Sequence, residues 1–315
     1  MRACFLNLIE RLRMQNTGLL PEMTPKRREA FVGYLFILPT YIGFIIFILY
    51  PLIESMRISF QEFSLLRGST YIGLENYAQM FADARLRIAY INTIVFTIFA
   101  VFFNAGIGLI LAVMLNRRLP ILMRNLYRSI FFFPVLIAHT YIAVIWRFLY
   151  QYDTGVINFY LGVVGIDPIP WLSNAHWAMA AIIILDVWKN TGFAMLVFLA
   201  GLQSIPNEYY EAAQLDGANE RQLFFRITIP LLSPTIFFIL VIFMIGALQV
   251  FDTIIVLTAG GPGDATRSVV LYIYEIAFRT FNMGYAAAVS MTLFAIILVL
   301  TALQFWISRR WVHYE

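Results

Sequence analysis

The chain has 315 residues, of which 61% are hydrophobic and 13% are charged, and its formal net charge is +4 at pH 7. Soluble globular domains are about half apolar and about a quarter charged, so this composition excludes an ordinary soluble fold and indicates a lipid environment. The positive charges lie beside apolar segments, which favours a role in membrane orientation over nucleic-acid binding.

Cysteine and histidine are too sparse for the common redox and metal sites. Cys4 is the single cysteine, so no intrachain disulfide can form. The three histidines, His139, His176 and His313, are far apart and form no His-x-x-x-His pattern. We therefore expect this chain to bind no metal and no cofactor of its own.

Six apolar stretches are each close to the ~20 residues that a transmembrane helix needs. They predict an all-α integral membrane protein with helices at residues 31–53, 91–115, 129–150, 178–202, 233–257 and 285–307. The stretches lack the alternation of a barrel strand. Pro39 and Pro134 lie inside spans and are expected to kink them. Because the apolar run at 3–9 is too short for a signal peptide core and is interrupted by Asn7, the first span is expected to stay as an anchor.

The distribution of Lys and Arg predicts the orientation of the spans. Fourteen of the 22 basic residues lie in the tails and in the loops after the second and fourth spans, and six lie in the remaining loops. Because positive charge stays on the cytoplasmic side, both termini are predicted to be cytoplasmic. This gives a cytoplasmic tail at 1–30, a six-helix membrane domain at 31–310 and a second tail at 311–315.

The outer loops differ in character. Residues 54–87 form a long connection of mixed composition. The last outer loop contains Gly260-Gly261-Pro262-Gly263, which is a strong turn signal. The apolar run at 269–273 is too short to span a bilayer, so it predicts a helix that lies at the membrane interface.

Polar residues inside the fourth span and in the outer part of the fifth are candidates for a substrate path, because ionisable groups at membrane depth are costly and usually functional. Asp186 and Lys189 are three residues apart on one helical face, where they are predicted to pair. Carboxylates, amides and aromatic faces suit a hydroxyl-rich ligand such as a sugar. Alternatively, the pair is structural and Asp252 caps a helix or lines a gate. The candidates are Asp186, Lys189, Asn190, Phe193, Gln249 and Asp252.

The polar loop between the fourth and fifth spans has local structure of its own. Pro206 and the glutamates that follow it are typical of a helix start, and the helix is predicted to run to about Asp216. Gly217 then permits a turn that a side chain would hinder. A second short helix is predicted at 220–227, because Pro230 follows it.

The residues of this loop resemble the EAA loop of ATP-binding-cassette importer permeases. The resemblance lies in Glu211-Ala212-Ala213, in Gly217 and in Ile227-x-Ile229-Pro230, where the family favours Leu at the position of Ile229. Four further stretches resemble the carbohydrate branch of that family, at 188–193, 202–206, 257–262 and 284–288. The glycine-proline loop is similar to that of MalF-like or glycerol-3-phosphate-permease-like subunits. The likeness covers residues 31 to 310.

The resemblance implies a MalF/MalG-like type I importer permease fold in a bacterial or archaeal cytoplasmic (inner) membrane. It also implies four partners besides lipid: a second, MalG-like permease, two MalK-like ATPase subunits that bind ATP and Mg, and an external substrate-binding protein. The loop at 203–230 is implied to dock into a cleft of the ATPase. The implied coupling residues are Glu211, Ala212, Ala213, Asp216 and Gly217.

The chain is not expected to be an enzyme, because neither of its lysines, Lys26 and Lys189, follows the glycine that a Walker A loop requires. The expected function is therefore import of a sugar or small glycoside, powered by a separate ATPase. A neutral sugar is favoured over a phosphorylated one, since phosphate would need a strongly cationic path.

Two other functions are weighed against this one. The first is an ion-coupled secondary transporter in which Asp186, Lys189 and Asp252 relay protons. It would transport without partners, and the EAA loop and the lack of an inverted repeat count against it. The second is a membrane enzyme of glycan chemistry, for which the sequence lacks a convincing set of paired acids or a metal cluster.

Overall fold

A computed structural model of the protein describes residues 24–64, 68–117 and 119–312. Most of the two predicted tails, with Cys4 and His313, lies outside the described residues. The chain divides into two compact units, Met1–Ser55 and Met56–Glu315.

The described part of the first unit is helical. Helix α1, Pro25–Phe44, is followed by a π-helical turn at Ile45–Leu49 and by α2, Tyr50–Ser59. Together Glu29–Ser59 make one helix that is long and apolar enough to cross a membrane. Pro39, where a kink was expected, lies inside α1 and does not interrupt the helix.

A widened, π-helical turn precedes a proline at two places. One turn is Ile45–Leu49 before Pro51, and the other is Phe224–Thr228 before Pro230. In a regular α-helix the proline ring clashes with the carbonyl four residues earlier, and a wider turn relieves that clash. The second case shows that our expected helix end is wrong, since the helix continues through Pro230 to Leu231.

The second unit combines one hairpin with a set of helices. Strands β1, Gln61–Ser64, and β2, Gly68–Tyr71, pair antiparallel with Gln61 opposite Tyr71. In chain order its described helices are Glu75–Ala82 (α3), Ala84–Asn116 (α4), Ile121–Phe132 (α5), His139–Leu149 (α6), Val156–Val163 (α7), Ala175–Ser204 (α8), Asn207–Leu215 (α9), Glu220–Leu223 (α10), Ile229–Leu231 (α11), Ser233–Leu248 (α12), Asp252–Leu257 (α13), Val269–Phe278 (α14) and Met283–Ser308 (α15).

The predicted spans correspond to four continuous helices and two bent pairs among the described residues. The continuous helices are Glu29–Ser59, Ala84–Asn116, Ala175–Ser204 and Met283–Ser308. The bent pairs are Ile121–Leu136 with His139–Leu149, at 100°, and Glu220–Leu231 with Ser233–Leu248, at 63°. The prediction of a helical, multi-span membrane protein is confirmed, with six spans when each bent pair counts as one.

The third span breaks where Pro134 predicted a kink. Pro134 lies in a 3₁₀ turn, Phe133–Leu136, that joins α5 to the following break. The span also begins at Ile121, earlier than the predicted residue 129. Phe133, before the proline, keeps helical dihedral angles, and the backbone becomes extended at Ile137 and Ala138, directly after the 3₁₀ turn.

The fifth span was predicted as one helix to residue 257, and this prediction is wrong. Helix α12 ends at Leu248, where the amides of Gln249 and Val250 bond to the carbonyls of Gly246 and Ala247, three residues back. Such bonds tighten the last turn of a helix and end it. The backbone departs from helical dihedral angles at Gln249 and again at Phe251, directly before α13 begins.

Within the segment at 54–87, expected only as a mixed connection, a buried amide ties α3 to the end of α2 and the start of β1. The side chain of Asn76 in α3 donates 2.9 Å hydrogen bonds to the carbonyls of Ser59 and Gln61, at the start of the hairpin. The helix expected at 269–273 forms as α14 and extends to Phe278. Its residues Val269 and Leu271 are buried within the second unit.

The centre of the second unit is the packing of α4 against α8. Small residues bring the two helices together, with Gly108 of α4 beside Ala194 of α8. Close backbone approach of this kind is how membrane helices associate when lipid is as apolar as their side chains. Helix α8 also touches α5, where Gly192 lies against the backbone of Phe131 and Phe132.

Asp83 joins three helices at one end of the unit. Its Oδ1 caps α4 by accepting from the amides of Arg85 and Leu86 at 3.0 Å each. Its Oδ2 accepts from the hydroxyls of Tyr272 in α14, at 2.5 Å, and Tyr285 in α15, at 2.7 Å. Burial raises the pKa of the Asp83 carboxyl, but these hydrogen bonds, led by that of Tyr272, outweigh it and hold the pKa below its usual value.

A chain of ion pairs continues from the same end of α4. Arg85 reaches Asp264 at 3.0 Å, and Asp264 also pairs with Arg267 at 2.7 Å. Arg267 is 8% exposed and pairs with Glu275 of α14 as well. These contacts fix the loop after α13, in which Gly260 has a φ of +88° that favours glycine.

Asp83→Asn is expected to remove an acid-sensitive stabilisation. Because the folded pKa lies below the unfolded value of about 3.9, the contribution of Asp83 is complete above that value and is lost as the pH falls through the folded pKa. The variant should therefore unfold at a lower temperature than the wild type at pH 7, and the gap should shrink toward pH 3. Thermal unfolding in detergent at several pH values measures this; Asp153→Asn, at an exposed turn, is the control. A gap independent of pH would contradict the account.

Gly192→Ala is expected to destabilise the second unit, because the new methyl group would overlap the backbone of Phe131. Overpacking of this kind typically costs about 1–3 kcal/mol. Gly106→Ala in α4 is the matched control, since nothing lies within 4 Å of its added Cβ and alanine is the better helix former by up to ~1 kcal/mol. Unfolding midpoints in detergent compare the two, and equal midpoints would show that the contact is not tight.

Candidate functional site

A cavity of about 270 Å³ lies where the broken fifth span meets α4 and α8. Its wall mixes aromatic and aliphatic side chains with a small number of polar groups, which is typical of sites that orient a small ligand. The polar lining residues include Asn104, His139, Asp186, Asn190, Gln249 and Asp252.

The break between α12 and α13 forms one side of this cavity. Gln249, Val250 and Phe251 all line it, and Asp252 follows as the first residue of α13. Non-helical backbone at membrane depth is tolerated where protein or a wet cavity surrounds it. The carbonyl of Val250 accepts a 2.8 Å hydrogen bond from Ser268, so part of the exposed backbone is satisfied by protein.

Asp186 is held by amides from two helices. Asn104 of α4 donates to one carboxyl oxygen and Asn190 of α8 to the other, each at 2.9 Å. Asn104 is 1% exposed and accepts in turn from the hydroxyl of Thr191 at 3.3 Å. A carboxylate has about four acceptor positions, so Asp186 keeps acceptor capacity for a ligand in the cavity.

Lys189 does not pair with Asp186, and the predicted ion pair is therefore wrong. Its ammonium donates instead to the carbonyl of Val135, at 3.4 Å, and its side chain is 3% exposed. The break in the third span leaves carbonyls such as that of Val135 without a helical partner. Lys189 therefore donates its hydrogen bond to the broken span and does not line the cavity, although it interacts electrostatically with Asp186 and His139, which do.

Four of the six substrate-path candidates meet at the cavity: Asp186, Asn190, Gln249 and Asp252. Phe193 packs edge-on against Phe243, with ring centroids 6.1 Å apart, and only Phe243 reaches the cavity wall. Sequence reasoning missed Asn104 and His139. A lone amide in the apolar second span was a signal for Asn104, whereas the location of His139 depends on the bend in the third span.

The second region of interest is the polar loop, whose first helix α9 ends as a glycine turn. The amide of Gly217 bonds to the carbonyl of Gln214 at 3.0 Å, and that of Ala218 to Ala213 at 2.9 Å. This is the Schellman pattern, in which the residue after the helix is left-handed. Gly217 has a φ of +84°, so the expected turn is confirmed.

The remainder of the loop is ordered by its own side chains. Asn219 and Gln222 exchange side-chain and backbone hydrogen bonds, at 2.8 and 2.9 Å, which form a capping box at the start of α10. The hydroxyls of Tyr210 in α9 and Thr228 in the π-helical turn lie 3.2 Å apart. The two halves of the loop are therefore joined to each other.

One face of α9 is exposed along its whole length. Glu208, Glu211, Ala212 and Leu215 follow the i, i+3, i+4, i+7 spacing of a single helical stripe, and all four are exposed. Leu215 is 90% exposed. Its one apolar neighbour on that stripe is Ala212. We call these four residues the α9 stripe.

The chain is similar to known membrane transport proteins. Residues 104–313 match the family described as "Binding-protein-dependent transport system inner membrane component". The chain is 39% identical to the probable ABC transporter permease protein YesP of Bacillus subtilis, over 92% of this chain and 94% of that protein. It is 36% identical to the trehalose/maltose transport system permease protein MalF of Thermococcus litoralis, over 90% of this chain and 96% of that protein.

The fold also matches a solved structure. A chain of the bacterial alginate ABC transporter, crystallised in complex with an alginate pentasaccharide-bound periplasmic protein, superposes with a TM-score of 0.80 and 29% identity. The match covers 90% of this chain and 96% of that chain.

Proposed function

This chain belongs to the family of binding-protein-dependent transport system inner membrane components, and we propose that it is the permease subunit of an ATP-binding-cassette importer for a sugar or small glycoside. The observation that carries the proposal is that the matched segment, 104–313, contains the polar lining residues of the cavity and the ordered, exposed loop. The relatives named above for trehalose/maltose and alginate support the sugar class of substrate.

The proposed assembly has several subunits in a bacterial or archaeal cytoplasmic membrane. A second, homologous permease completes the path. An external binding protein delivers the sugar, and the complex of the alginate transporter with its periplasmic protein supports this step. Two MalK-like ATPase subunits bind ATP and Mg and dock on the cytoplasmic side, where we also place both termini. This chain is then a transport subunit and not itself an enzyme.

In this assembly the α9 stripe is the surface that meets the ATPase. Glu211 offers a carboxylate to a donor in the ATPase cleft, and a charge-assisted hydrogen bond is stronger than a neutral one. Leu215 offers an apolar side chain, which stabilises an interface when it fills a pocket. Ala212 and Ala213 keep the helix thin, while Asp216 and Gly217 end it in the fixed turn described above.

The rival proposal, an ion-coupled carrier, needs Asp186, Lys189 and Asp252 to pass protons along one path. Asp186 and Asp252 line the cavity, whereas Lys189 does not line it and donates its hydrogen bond to the carbonyl of Val135. The geometry therefore favours a sugar path over a proton relay.

Glu211→Lys is expected to uncouple transport or to prevent assembly, because the ATPase cleft would meet a cation in place of a carboxylate. The complex purified from its native membrane should retain less ATPase subunit or show less sugar-stimulated ATP hydrolysis. Glu62→Lys, an equal charge reversal at an exposed site outside the loop, is the control. Normal assembly and hydrolysis in Glu211→Lys would refute the docking role.

Gly217→Ala is expected to weaken coupling by straining the turn, since an L-residue in the left-handed region costs roughly 1–2 kcal/mol. No atom lies within 4 Å of the added Cβ, so backbone strain is the one new effect. Gly165→Ala carries the same strain, at a φ of +81°, far from the loop in sequence and equally unobstructed. Sugar-stimulated ATP hydrolysis should fall in Gly217→Ala by more than in Gly165→Ala, and equal losses would show that the turn geometry is not specific to coupling.

A further inference from the structure

The charge of the cavity wall is one-sided. Two of its lining residues, Asp186 and Asp252, carry carboxyl groups, and no Lys or Arg lines the cavity within the described residues. His139 is the remaining titratable lining group, and an ordinary histidine, with a pKa of about 6.5, is largely neutral above pH 7. A ligand in this cavity therefore meets acceptors and negative charge.

The nearest cation to this wall, Lys189, interacts electrostatically with Asp186 but is not presented to a ligand in the cavity. Lys189 is 3% exposed, its ammonium is directed at Val135, and it is not among the residues that line the cavity. The hydrogen-bond partners of Asp186 are the neutral amides of Asn104 and Asn190. An anionic substituent beside Asp186 would thus have no Lys or Arg of the described cavity lining to contact.

The same groups suit uncharged hydroxyls. Asp186 is fixed by two amides from different helices, so its free acceptor positions are held in place before a ligand arrives. The amide of Gln249 can both donate and accept, and Asp252, three residues later, also lines the cavity and is exposed. A sugar hydroxyl can donate to such carboxyls and accept from such amides.

We propose that this cavity makes the permease selective for uncharged sugars over acidic ones, with Asp186 and Asp252 as the specificity-determining residues and Asn104 as the positioning residue of Asp186. The proposal rests on the proposed function of sugar import. It names the charge class of the substrate, which neither the loop nor the fold determines. Uronic acids, sulfonated sugars and sugar phosphates belong to the rejected class.

The test uses the complete transporter in liposomes, with its permease partner, ATPase and binding protein. At pH 7.5 the vesicles receive ATP inside and, outside, a mixture of neutral and uronic-acid oligosaccharides of matched length from hydrolysed plant polysaccharides. Mass spectrometry then identifies the sugars that accumulate. We expect neutral sugars to exceed acidic ones by at least about tenfold, a ratio that corresponds to one unfavourable charge contact.

Variants of the cavity residues show whether the ratio of neutral to acidic sugars is set in the cavity, because the same binding protein is used in every measurement. Asp252→Asn and Asp186→Asn should each lower the neutral-to-acidic ratio by about threefold or more, because each removes one negative charge without changing size. Asp153→Asn, at an exposed turn outside the cavity, should leave the ratio unchanged. Asn104→Leu should lower uptake of neutral sugars with less effect on the ratio, because it frees Asp186 without removing its charge.

Two results would overturn the proposal: wild-type vesicles that accumulate acidic sugars as well as neutral ones, or a ratio that both aspartate variants leave unchanged. Failure of the underlying function looks different. If no sugar of either class accumulates while ATP is hydrolysed, the importer assignment itself is contradicted.

Discussion

Lipid offers no hydrogen bonds, so a chain that crosses a membrane must satisfy its polar groups from within. Two helix breaks of this protein, at residues 135–138 in the third span and between α12 and α13 in the fifth, each receive a hydrogen bond from a polar side chain of another element. The break in the third span receives the ammonium of Lys189 at Val135. The break in the fifth span receives the hydroxyl of Ser268 at Val250. Each break is stable because another segment of the chain completes it.

The same constraint creates the cavity. Ending α12 at Leu248 removes one helical turn from the wall and exposes the segment from Gln249 to Asp252. Asp186 can line that space because the side-chain amides of Asn104 and Asn190 donate hydrogen bonds to its carboxylate. In contrast, the polar loop between α8 and α12 organises itself through a glycine turn and a capping box. It thus presents the α9 stripe with little help from the membrane helices.

The sequence predicts the features that depend on composition and local pattern. Runs of apolar residues located the spans, Pro134 predicted the bend in the third span, and Gly217 predicted the turn of the loop. Features that depend on contacts between residues far apart in the sequence could not be predicted from it. The helical spacing of Asp186 and Lys189 suggested a pair, but the open carbonyl of Val135 takes the ammonium. Asn104 could be placed beside Asp186 only once the packing of α4 on α8 was known.

The central claim is that the α9 stripe carries the contact that powers transport. A photo-reactive amino acid at Leu215, which is 90% exposed, tests it directly when it is activated in the native membrane. We predict a covalent product with an ATPase subunit, identified by mass spectrometry, whereas the same probe at Phe81, which is 95% exposed outside the loop, gives none. Labelling of lipid alone at Leu215, or the same product from both positions, would contradict the account.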